Sequence, residues 1–152
     1  MSSETRIPGF LLLREQDATL LYIGFLLYFR LTQAAKRQRG AISWEGDSLK
    51  VLRSWPKAIK EDFGVALNEM QEGRPAAIAV RPMSSIAPGV FELKESDESK
   101  WYRLIYLARV KDTIFVLHCF TKDTARTEKP DLRMARRRWK QVQERLREEG
   151  NK

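Results

Sequence analysis

The sequence predicts an α+β fold, in which two N-terminal helices pack on a small, mainly antiparallel sheet and a further helix closes the chain at its C-terminus. Three observations predict it. Apolar residues recur at helical spacing between Leu49 and Met70, apolar and aromatic stretches separated by short polar turns fill residues 78–120, and an arginine-rich segment of helical periodicity follows Pro130.

Taken in order, Ala41–Trp44 reads as a first short strand before Glu45-Gly46. Asp47 is an N-cap candidate for the segment SLKVLRSW, whose Leu49, Leu52 and Trp55 share a helical face. Pro56 ends that helix and can open the next. Lys57–Glu72 carries Ile59, Phe63, Ala66, Leu67 and Met70 on one face, and Gly73 with Pro75 stops it. Ile78–Val80 is a short apolar stretch. Pro88-Gly89 marks a turn into Val90–Leu93, and the polar segment Glu95–Lys100 reads as a hairpin loop. Trp101–Val110 is rich in aromatic and β-branched residues and reads as a long strand. After a tight connection at Lys111-Asp112, Thr113–Phe120 is apolar on both faces and is expected near the centre of the sheet. Thr121–Lys129 is a polar loop, and Pro130 opens a helix to about Glu148, buried through Leu132, Ala135, Trp139, Val142 and Leu146. Strands joined by such short turns pair antiparallel.

A chain of 152 residues holds one domain of ordinary size. Residues 41–152 are assigned to it and residues 1–40 to an N-terminal extension. That extension contains an apolar run of ten residues, Leu20–Phe29, bounded by Asp17 and Arg30. It is about half the length of a spanning helix. An extra helix or sequence outside the natural domain is preferred to a membrane-surface anchor. One cysteine, Cys119, precludes an intramolecular disulfide and suits a reducing cytoplasm. One histidine beside it, His118, does not make a usual zinc site, and no acidic cluster suggests another metal or cofactor.

The formal net charge is +8, which points to a polyanionic partner, nucleic acid being the commonest. The charge is concentrated: ten Lys or Arg residues lie between Lys122 and Arg147, against Asp123, Glu128, Asp131 and Glu144. Arg136-Arg137-Arg138 covers most of a helix circumference, so one of the three must lean towards the protein body. Alternation along the long strand places Trp101, Arg103, Ile105 and Leu107 on one face. Arg103 is thus an arginine within a sheet. It either pairs with a carboxylate, for which Glu92 is the obvious choice, or faces a phosphate.

Five segments carry a resemblance. WEGDSLKVLRSWPKAIKEDFGVALNEMQEG, PGVFELKE, WYRLIYLARV, FVLHCFTKDT and LRMARRRW occur in the order in which the phage-related branch of the RelE/HigB-type toxins carries its elements. The chain resembles that family over about residues 43–147 and not before residue 41. The resemblance implies a RelE-like fold and the toxin of a toxin–antitoxin module. It implies a metal-independent mRNA endonuclease, acting at the ribosome and partnered by a helix-turn-helix antitoxin. It also assigns roles. Arg103, in YR-x-x-Y, would stabilise phosphate. Lys122, in LH-x-F-x-K, would stabilise charge or donate a proton. His118 is the remaining catalytic candidate, with a core histidine as its competing reading. Lys94, Arg126, Arg136 and Arg137 would bind RNA. The position after the strand lysine, often a second lysine in the family, is Asp123. A non-catalytic RNA- or protein-binding relic of the same fold is the alternative.

Overall fold

A computed structural model describes residues 15–34, 39–123 and 129–152. The chain divides into two compact units, Met1–Arg37 and Gln38–Lys152. Within the first unit, Glu15–Ala34 forms helix α1.

The second unit is the expected α+β domain. Its elements are β1 (Ala41–Trp44), α2 (Ser48–Arg53), α3 (Lys57–Gln71), β2 (Ala79–Pro82), β3 (Val90–Ser96), β4 (Trp101–Val110), β5 (Thr113–Lys122) and α4 (Lys129–Gly150). The sheet runs β1-β5-β4-β3-β2. β2 to β5 form an antiparallel meander, as their short connections require, while β1 joins the far side of β5 in parallel. The Lys111-Asp112 connection is a tight turn with both residues at positive φ, 47° and 61°.

Two apolar layers sandwich the sheet. On one face α2 and α3 bury Trp55, Ile59, Phe63, Ala66 and Leu67 against Leu93, Leu104, Tyr106 and Val116. On the other, Ala135 and Val142 of α4 pack with Ile105, Leu107, Leu117 and Phe120. β5 therefore has apolar residues on both faces because it is covered on both. A register shift between Ile105 and Tyr106 marks a bulge opposite Leu117. Asp47 occupies the N-cap position of α2 but makes no side-chain cap bond. Its carboxylate is turned to Arg138 instead.

Candidate functional site

The register of the three central strands sets out a polar array on the sheet face that α4 covers. Trp101 of β4 lies opposite Ser96 of β3 and Lys122 of β5, and Arg103 lies opposite Lys94 and Phe120. One step further, Ile105 lies opposite Glu92 and His118, and Arg81 of the edge strand β2 lies opposite Glu92. Directly opposed residues share a face. Lys94, Arg103, Lys122 and His118, far apart in sequence, thus lie on one surface of the sheet.

At the centre of this array Arg103 is fully buried, at 0% exposure, and its guanidinium donates to Glu92 Oε1 at 2.9 Å. Glu92 is equally buried and also accepts from the half-exposed Arg81 at 3.2 Å. A buried charge is tolerated only with such compensation. The carboxylate alternative for Arg103 is the one the fold adopts, and as folded Arg103 has no exposed surface to offer a phosphate. The cation of this group that reaches solvent is Arg81.

Beside it, where β5 meets α4, one carboxylate holds two cationic or titratable groups. Asp131 Oδ1 lies 3.0 Å from His118 Nε2, and Asp131 Oδ2 lies 2.9 Å from Lys122 Nζ. All three side chains are only slightly exposed, at 12% for His118, 17% for Lys122 and 15% for Asp131. Arg138 closes the other side of the imidazole. It donates to the carbonyl of Leu117 at 3.0 Å and to Asp47 Oδ1 at 2.6 Å, and lies 3.4 Å from His118 Nδ1. Arg138 is the member of the arginine run that leans inwards. Burial holds the pKa of His118 below its usual value, and its contact with Asp131 only partly opposes this. Burial thus favours the neutral imidazole, which is stacked on Phe120 at 5.1 Å between centroids.

The remaining expected residues fall at the margins. Lys94 Nζ sits 4.5 Å over the ring of Trp101, a cation–π pair. Arg136 and Arg137 stay exposed on α4, the first donating to the carbonyl of Ser85 at 2.6 Å and the second to Met134 Sδ at 3.1 Å. Arg126 lies outside the described residues. Tyr106 is a core residue, stacked on Phe91, with its hydroxyl pushed up to about 12 by burial. Among the described residues no group of three His, Cys, Asp or Glu side chains could hold a metal ion. Sequence reasoning missed Asp131, Arg138, Asp47 and Arg81. Asp131 and Arg138 are four and three residues from Ala135, so they share its sheet-facing side of α4, a spacing legible in the sequence.

With this geometry in view, the model of the phage-derived Gp49-like protein family (DUF891) matches residues 50–140, from α2 into α4. The chain belongs to that family. A search of curated proteins finds no match.

Proposed function

We propose that this member of the Gp49-like family is the toxin of a type II toxin–antitoxin module, a metal-independent endoribonuclease that cuts mRNA at the ribosome and is restrained by a helix-turn-helix antitoxin. The observation that carries this reading is Asp131, which holds the His118 imidazole and the Lys122 ammonium side by side at the rim of a cationic sheet face. The family match falls on the same elements that carry the RelE/HigB resemblance, and the fold agrees with it.

In the reaction, the 2′-oxygen of the substrate attacks its own phosphorus and the bond to the 5′-oxygen breaks. One proton leaves the 2′-hydroxyl and one is delivered to the 5′-oxygen. Lys122 is the ammonium placed to meet the phosphorane charge, because Asp131 keeps a second partner in His118 when Lys122 swings to substrate. His118, whose burial favours the neutral form, exchanges protons along the His118–Asp131–Lys122 chain. Arg103 acts from below as a buried anchor of the strand rather than as a phosphate contact. Lys94, Arg136 and Arg137 hold the RNA backbone, and the Trp101 ring beside Lys94 offers a surface for a base.

Induced expression tests the reading. Expressing the chain should arrest growth and yield transcripts ending in 2′,3′-cyclic phosphate, and Lys122→Met should cut the cleavage rate about a hundredfold or more while the protein stays soluble. Unimpaired growth with soluble wild-type protein present would overturn it. A specific observation favours a second reading: His118, Lys122 and Arg103 all have carboxylate partners within the protein. On that reading the domain is a non-catalytic relic, and the same experiment would leave transcripts intact while the purified protein retains RNA.

A further inference from the structure

Helix α1 presents apolar side chains on every side. Every large side chain from Leu20 to Tyr28 is exposed, from 41% at Leu26 to 68% at Leu20 and Tyr28. At about 100° per residue, this stretch goes round the whole helix. A helix that docks in a protein groove needs one apolar stripe and keeps a polar back. This one has no polar back between Thr19 and Arg30. The hydrocarbon boundary of a bilayer, which can receive several sides of a helix at once, suits it better than a groove.

The length and the ends define the geometry. The ten-residue run Leu20–Phe29 extends about 15 Å as a helix, half of the roughly 30 Å of hydrocarbon in a bilayer. No helix among the described residues is long and apolar enough to cross a membrane. Charged residues stand at both ends, Glu15 and Asp17 before the run and Arg30 after it. Both ends must stay at water, so the helix lies in the plane of the surface and does not enter end-on. With a diameter of about 10 Å it can sink its larger part the roughly 5–10 Å that in-plane helices reach, leaving the rest among the headgroups. Tyr22 and Tyr28 carry the apolar ring and polar tip suited to the headgroup level.

Charge selects the surface. Between Asp17 and Glu45 the sequence has no acidic residue, while Arg30, Lys36, Arg37 and Arg39 follow the apolar run in close succession. Such a basic flank is attracted by anionic headgroups within a Debye length. In a parallel pair of α1 helices the same flanks would repel. We infer that α1 is an in-plane anchor that binds this chain to anionic bilayer surfaces, with the basic stretch after it reading the headgroup charge. This reverses the preference for an extra helix or sequence outside the natural domain over a membrane-surface anchor. It is independent of what the domain does to RNA.

The test is co-sedimentation of the full chain with vesicles of phosphatidylcholine, with and without phosphatidylglycerol. The chain should pellet with the anionic vesicles and far less with the zwitterionic ones. The double variant Phe25→Glu/Leu26→Glu should lose vesicle binding by at least about tenfold. Lys36→Glu/Arg37→Glu should bind both vesicle types alike and weakly. All four tryptophans, Trp44, Trp55, Trp101 and Trp139, lie in the domain, so an unchanged emission spectrum shows that a variant is still folded. Three results would overturn the proposal. One is a full chain that stays in the supernatant with both vesicles. Another is anionic binding that survives Phe25→Glu/Leu26→Glu, which would assign it to the basic domain. The last is self-association abolished by that variant without vesicle binding, which would make a second copy the occupant.

Discussion

Arg103 shows how little a residue's identity says about its role until its partner is known. Alternation placed it inside the sheet with Glu92 across from it, and β3–β4 pairing with Arg81 on the next strand explains why the buried charge is stable there. Arg103→Met should therefore cost about 3–5 kcal/mol, because it leaves the Glu92 carboxylate buried with only part of its compensation. The double change Arg103→Met/Glu92→Leu should recover most of that loss, since two apolar side chains of similar size remove both desolvation penalties. Urea unfolding with an unchanged m value is the measurement. A double variant as unstable as the sum of the single ones would refute the pairing argument. The variant also separates stability from chemistry, for a stable double variant that no longer cuts RNA would return Arg103 to the catalytic group. The residue that most defines the site, Asp131, was not picked out from the sequence. It is an ordinary first-turn acid on a helix, and only the packing of α4 on β5 sets it between His118 and Lys122.

At the scale of elements, α4 is rich in exposed arginine and lysine and yet must be held down. Its clamp is the turn after β1. Arg138 bonds Asp47 and the carbonyl of Leu117, and Arg145 donates to Glu45 at 2.7 Å. Gly46 makes this possible twice over: its φ of +55° suits glycine, and a Cβ there would lie 2.5 Å from the Arg138 guanidinium. That guanidinium is buried and pinned at two ends, so it has no room to yield. Gly46→Ala should cost about 1–3 kcal/mol and should speed trypsin cleavage within α4 relative to the rest of the domain. Unchanged unfolding and digestion would sink this account of the clamp. The elements themselves were legible because each is periodic and punctuated: Pro56, Gly73, Pro88-Gly89, Lys111-Asp112 and Pro130 fall where the chain turns. What was not legible was contact between elements remote in sequence. The Asp47 carboxylate looked like a helix cap because its nearest sequence neighbours are helical, whereas a guanidinium ninety-one residues away holds it more strongly. Arg138 is also the main reason that the Asp47 carboxyl stays below its usual pKa.

At the scale of the whole molecule, the net charge of +8 overstates or understates the electrostatic footprint depending on which cations are already paired. Arg103 is neutralised in the interior, and Arg138 and Arg145 are committed to Asp47 and Glu45. Among the described residues Lys94, Arg136 and Arg137 have no carboxylate partner, and they can neutralise phosphates. Single-stranded RNA releases about 0.7 counterion per phosphate neutralised, so the logarithm of affinity should fall linearly with the logarithm of salt. Arg136→Ala and Arg137→Ala in the full chain should each lower that slope by about 0.7. Arg103→Met/Glu92→Leu removes an arginine and should leave the slope where it was, because the pair contributes no net charge to the surface. Anisotropy titrations of a labelled RNA over a range of potassium chloride concentrations read this directly. A fall in slope for the neutral double variant equal to that of Arg136→Ala would mean that Arg103 meets phosphate after all, through an opening of the sheet face that the folded domain keeps closed.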